Sequence, residues 1–144
     1  MVVSEGEIIF RLVLSALLGA FIGSERELKN KPAGIRTHAL VSLGACLFTL
    51  VSLGFGVTGT NVDPSRVAAG IVTGIGFLGA GAIFRSEDRV AGLTTAADLW
   101  VIAAVGLAVG LGYYLSAVFS AILAYALLFC GRFFKKKGSK GKRA

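Results

Sequence analysis

Apolar residues fall along this chain in long blocks, without the one-face helical spacing or the strict alternation of elements half exposed to water. Five blocks are read as helices that cross a bilayer, at about residues 8–23, 39–57, 64–84, 93–109 and 113–131. The last two lie in one run, residues 93–131, whose 39 positions carry a single charge, Asp98. One helix of that length would reach roughly 58 Å against a hydrocarbon core of about 30 Å, so the run has to break. Gly110-Leu111-Gly112-Tyr113-Tyr114 is the place for it, with tyrosines at the headgroup level. The expected fold is an all-α membrane protein, a compact bundle of about five transmembrane helices over residues 1–131. A basic cytoplasmic tail without fixed structure is expected at 132–144.

The third block holds the densest glycine pattern: Gly70, Gly74, Gly76, Gly79 and Gly81, with no charge between Arg66 and Arg85. Gly74-Ile75-Gly76-Phe77-Leu78-Gly79 matches the dinucleotide fingerprint G-x-G-x-x-G, which needs a strand before it and an acid about 20 residues on. Here the flanks are equally apolar, and no βαβ unit can be drawn. In lipid, small residues instead let helix backbones approach closely. The G-x-x-x-G pairs Gly19/Gly23, Gly70/Gly74 and Gly106/Gly110, with Gly76, Gly79 and Gly81, are therefore read as helix-packing positions. They serve the bundle itself, a homodimer or other membrane proteins.

Composition fits a chain whose solvent is lipid: 55% hydrophobic, 16% charged, mean hydropathy +0.78, and room for one domain. The net charge of +7 arises largely from the tail, which has seven positive charges and no acid. Without aromatics between its lysines it reads as a flank beside anionic headgroups, not as a nucleic-acid surface. Five spans put 13 of the 15 Lys and Arg on the cytoplasmic side, leaving Arg11 and Arg66 opposite, with the N-terminus outside. The first block lacks a basic leader and carries Glu5 and Glu7, so it is read as a retained helix rather than a signal peptide. Cys46 and Cys130 stand in no metal or redox spacing and are expected to be buried thiols.

That topology gathers one polar set at the inner membrane surface: Glu25, Arg26 and Glu27 after the first span, and Arg36, Thr37 and His38 in the loop before the second. Arg85 follows the third span, and Thr94, Thr95 and Asp98 open the fourth. Ionisable groups at the edge of a bundle are functional candidates; the plainer reading is a network of ion pairs that fixes helix register. Glu25, Glu27 and Asp98 are the candidate ligands for magnesium, the one cofactor considered, although Arg26, Arg36 and Arg85 compete for the same carboxylates. Asp98 is either an acid stabilised by its helix N-terminus or a relay for a proton or cation. On the outer side, Asp63 with Pro64 forms a helix start, and Arg66 pairs locally with Asp63. The single histidine has no sequence partner that defines a triad, so an enzyme is not expected.

GSERELKNKPAGIRTHALVSLGACLFTLVS, DPSRVAAGIVTGIGFLGAGAIFR and GLTTAADLWVIAAVGLAVGLGYY, in that order, resemble the MgtC/SapB family of bacterial inner-membrane proteins. Its polar signature falls on Glu25, Arg26, Glu27, Pro32, Gly34, Arg36, Thr37, His38, Asp63, Arg66, Arg85, Thr94 and Thr95. The resemblance implies adaptation to low magnesium, survival of pathogens inside host cells, and regulation of membrane partners such as the F-type ATP synthase. The alternatives are a small cation transporter or channel, and a membrane module that binds a lipid or small ligand. Two features depart from the family pattern: a basic tail where many members continue into a soluble C-terminal domain, and Asp98 where a small residue is expected.

Overall fold

The computed structural model describes residues 3–57, 63, 65–86 and 89–138. Five helices follow in order among them: α1 (Glu5–Leu28), α2 (Ile35–Val57), α3 (Ser65–Gly81), α4 (Leu93–Gly110) and α5 (Tyr114–Gly138). A short antiparallel hairpin, β1 (Phe84–Ser86) and β2 (Arg89–Ala91), joins α3 to α4. α1, α2 and α4 are long and apolar enough to cross a membrane; α3 and the apolar part of α5, Tyr114–Cys130, are shorter. Large apolar side chains cover the outside, among them Leu17, Phe48, Phe77, Leu115 and Phe119. That surface is the reverse of a water-soluble protein's and belongs against lipid. The chain is a membrane protein.

Small residues decide which helices meet closely. A Cβ on Gly19 would lie 2.5 Å from the His38 carbonyl oxygen, and one on Gly23 would lie 2.7 Å from Ile35 Cα, so α1 and α2 cross backbone to backbone. On α4, a Cβ at Gly106 would lie 2.2 Å from the Ser42 carbonyl oxygen, and one at Gly110 would meet Thr49 and the Cys46 carbonyl. α1, α2 and α4 thus form a tight trio around Ile22, Cys46, Ile102, Val105 and Val109, which α5 closes with Ala117 and Ala121. α3 joins this trio mainly through α4, where Ile75 packs with Leu99 and Ala103, and Gly79 lies over Ala96.

The element boundaries differ from the sequence expectation in instructive places. α1 continues to Leu28 and α2 already begins at Ile35, so Arg36, Thr37 and His38 are helical rather than in a loop. The carboxylate of Glu27 accepts from the Ile35 backbone N–H at 2.9 Å, an N-terminal cap supplied from the end of the preceding helix. Asn30 takes positive φ in the turn between them, a conformation asparagine tolerates better than most. α3 ends at Gly81, and Arg85 and Arg89 lie in the β1–β2 hairpin, with residues 87 and 88 outside the described set. Gly92 leads into α4 at φ 91°, where a Cβ would lie 1.8 Å from the Ala82 carbonyl oxygen. Only glycine lets the hairpin return that closely. α5 carries on to Gly138, so the first half of the expected tail is helical, lysine being a good helix former. Pro64 and residues 139–144 lie outside the described residues. Cys46 is buried, whereas Cys130 is exposed on α5.

Gly106→Ala should lower stability by about 1–3 kcal/mol, since its methyl has backbone rather than a flexible side chain to displace. Gly76→Ala enters open space and should be neutral or stabilising by up to about 1 kcal/mol. Equilibrium unfolding in detergent micelles would check the pair; equal effects would refute this division of the glycines.

Candidate functional site

At the end of α1, three charged side chains, a histidine and a threonine come together out of solvent, with half-buried Lys29 at their edge. Glu25, Arg26, His38, Thr95 and Asp98 are each no more than 5% exposed. Arg26 Nε lies 2.7 Å from Asp98 Oδ2, a charge contact that is not aligned as a hydrogen bond. Arg26 also donates to Thr95 Oγ1 at 2.9 Å, and another of its nitrogens stands 3.7 Å from Glu25 Oε2. Lys29 pairs with the other oxygen of Glu25 and donates at 2.7 Å to the Leu128 carbonyl of α5. The cluster therefore ties α1 to α2, α4 and α5.

His38 closes this knot from α2. Its Nδ1 lies 2.9 Å from the Gly34 carbonyl oxygen, which can only accept, so that nitrogen carries a ring proton. Nε2 faces Asp98 Oδ1 at 3.3 Å. Asp98 is thus neither a simple helix-terminus acid nor a free carboxylate, because two basic side chains hold it.

The remaining inner-face candidates lie elsewhere. Glu27 is occupied as the cap of α2, Thr37 is half-buried, and Arg36, Arg85 and Thr94 are exposed, with Arg85 in the hairpin. Among the described residues no group of three His, Cys, Asp or Glu side chains is arranged to hold a metal ion. The carboxylates considered as ligands are each already engaged: Glu25 and Asp98 by Lys29 and Arg26, and Glu27 by the backbone. On the other side, Asp63 Oδ1 accepts from the Ser65 N–H at 2.9 Å, and the Ser65 hydrogen bonds hold this carboxyl below its usual range. Asp63 and Arg66 form no ion pair among the described residues; the carboxylate serves as a cap.

Sequence reasoning missed Lys29 and a whole second polar cluster. Lys29 completes the inner knot, and its i,i+4 spacing from Glu25 was the available signal. A second clasp stands at the opposite end of α1, where Arg11 Nε reaches Glu7 Oε1 at 3.0 Å and Tyr114 Oη at 2.9 Å. A third contact runs from Arg11 to the Gly110 carbonyl at 2.7 Å, and Tyr114 donates to Glu7. It satisfies a carbonyl at the C-terminus of α4, where helix carbonyls lack intrahelical partners. Glu7 and Arg11 are also four residues apart; Tyr114, 103 positions from Arg11, could not have been paired from spacing.

The nine glycines read as packing positions divide. Gly19, Gly23, Gly79, Gly106 and Gly110 lie against a neighbouring helix or loop, whereas at Gly70, Gly74, Gly76 and Gly81 no atom beyond the adjoining backbone of α3 lies within 4 Å of where a Cβ would stand. With the bundle and its polar knot defined, comparison with known proteins becomes decisive. The MgtC family pattern matches residues 12–137. The chain belongs to the MgtC family. Relatives include Protein MgtC of Salmonella typhimurium strain LT2, 47% identical over 115 residues, which are 80% of this chain and 48% of that protein. The protein named "Putative magnesium transporter YhiD" in Escherichia coli K12 is 43% identical over 127 residues, 85% of this chain and 59% of that one. A Haemophilus influenzae protein without a functional name is 42% identical over 120 residues. The chain spans about half to three-fifths of the length of these relatives. No solved structure matches it.

For this MgtC-family chain, Asp98→Asn should destabilise the fold by about 3 kcal/mol, the lower end for breaking a buried pair, because Glu25 remains 3.7 Å from Arg26. Replacing both partners, Arg26→Met with Asp98→Leu, should recover most of that loss. Unfolding of the three proteins in micelles measures it, and a double variant no better than the single one would contradict the pairing.

Proposed function

We propose that this chain is a non-enzymatic protein of the bacterial inner membrane that acts in adaptation to low magnesium by contacting membrane partners. Family membership supplies the setting, and the observation that carries the mode of action is one side of α3. Ala69, Thr73, Gly76 and Ala80 recur there at helical spacing, all exposed, with no atom near Gly76. In hydrocarbon, a face of small residues gains contact only when another helix backbone comes close. A homodimer or a partner such as the F-type ATP synthase membrane sector, which the family resemblance implies, would supply that helix. The inner knot then acts as scaffold, fixing the register of the trio that presents α3.

The transporter reading, carried by the printed name of the Escherichia coli relative, needs carboxylates free to take a cation. Glu25 and Asp98 are buried and already held by basic side chains, which favours the regulator. The cytoplasmic excess of Lys and Arg supports an external N-terminus and a cytoplasmic C-terminus.

Gly76→Leu should cut capture of membrane partners by an affinity-tagged chain at least tenfold, with insertion and stability unchanged. Unaltered capture would remove the regulator reading. Magnesium flux in proteoliposomes that is lost in Glu25→Gln would install the transporter in its place. Labelling of single cysteines added near each terminus in intact cells should mark only the N-terminal one.

A further inference from the structure

The glycines Gly70 and Gly74 do not belong to the exposed small face of α3. They point towards α2, where they line an open groove of about 650 Å³ with Leu40, Gly44, Phe48 and Leu78. Every lining residue is apolar, Ala103 of α4 forms part of the wall, and a Cβ on Gly44, Gly70 or Gly74 would touch nothing. A cleft this size between two transmembrane helices does not stay empty in a bilayer, because its walls would forgo dispersion contacts.

Shape and lining decide what fills it. The groove follows α3 over residues 67–78, a rise of about 16 Å, with apolar walls throughout. A single extended alkyl chain suits so long and wholly apolar a slot. Charge decides which lipid. One turn before Leu40, towards the end that carries the buried knot, α2 presents Arg36, exposed and with no ion pair among the described residues. A guanidinium in that position suits a phosphate oxygen at headgroup level.

We infer that the groove between α2 and α3 binds one acyl chain of an anionic phospholipid, with its headgroup phosphate on Arg36. This site is separate from the partner-facing side of α3, and neither depends on the other. It accounts for glycines that no contact within the chain explains: they keep the walls low so that a lipid chain can lie between two helices. The groove also lies beside Ala45, Ile75 and Ala103, the residues through which α3 leans on the trio, so the bound chain completes that packing.

Native mass spectrometry of the wild-type chain, released from mild detergent, should find one phospholipid per protomer, with phosphatidylglycerol preferred over phosphatidylethanolamine in an equimolar mixture. Gly44→Leu with Gly74→Leu fills open space, so the variant should fold and lose the lipid. Arg36→Gln should keep a lipid but lower the phosphatidylglycerol preference about fivefold, the share of one basic residue at an anionic surface. Wild-type protein that retains no lipid overturns the proposal, as does equal retention of both headgroups. Retention by the double leucine variant also overturns it, and so does a wild-type dimer that this variant converts to monomer without loss of lipid, which would assign the groove to a second copy.

Discussion

A guanidinium or carboxylate buried among helices has no water to fall back on, and this molecule is built around meeting that condition for Arg26 and Asp98. Their contact at 2.7 Å is useful only if α1 and α4 approach closely at the level of Thr95, with His38 of α2 beside them. Long side chains cannot bring about such an approach unless the backbones are allowed near one another. Gly19 and Gly23 allow it between α1 and α2, and Gly106 and Gly110 allow it between α4 and α2. The glycines and the charges are therefore two halves of one device. Bulk added at Gly106 would separate the helices, and loss of Asp98 would leave the buried Arg26 cation with only Thr95 and the more distant Glu25.

The same logic operates a second time at the other end of α1, on a smaller scale. Arg11 is partly exposed and binds Glu7, Tyr114 and the last carbonyl of α4, so it stitches the α4–α5 turn to α1. Gly112, at φ 85°, lets that turn pass over the Arg11 guanidinium, which lies 3.2 Å from where a Cβ would stand. Fifteen residues of α1 separate Arg11 from Arg26, about 22 Å along the axis. Between them the trio is held by Ile22, Cys46, Ile102 and Val105, side chains that contribute packing without specifying register. Two polar clasps joined by an apolar stretch give a bundle a fixed length and rotation, which dispersion contacts alone would leave loose.

Much of this arrangement can be read from residue order. Five apolar segments and a break among the glycines and tyrosines at 110–114 follow from composition and length, and the family resemblance rests on three motifs in order. The gathering of Glu25, Arg26, His38, Thr95 and Asp98 follows from placing every second loop on one side. Direction is harder to read. Arg36 and Arg85 have the same chemistry as Arg26 and lie at the same level in the sequence pattern, yet one is on the outer side of α2 and the other in a hairpin. The side of a helix that a residue faces decides between a buried ion pair and an exposed cation, and hydropathy does not report that phase when every neighbour is apolar. Indeed α2 is almost equally hydrophobic on all sides. Loop boundaries are hard to read for a related reason: Glu27 and His38 are polar, so they look like loop residues until their partners on other elements are known.

The spacing G-x-x-x-G occurs three times and means two different things. Gly19/Gly23 precede Glu25 and Arg26 by one turn, and Gly110 ends α4 where its own carbonyl accepts from Arg11. Each of these pairs adjoins a charged group whose partner lies on another helix, so the close approach and the clasp reinforce each other. Gly70/Gly74 have no such neighbour: Arg66, one turn away, makes no ion pair among the described residues, and Gly70 and Gly74 face open space. A small-residue pair beside an interhelical charge contact is consumed inside the fold, and one without it is left for the bilayer or its contents. Charge context, rather than the motif itself, separates the glycines that build this protein from those that face outward from it.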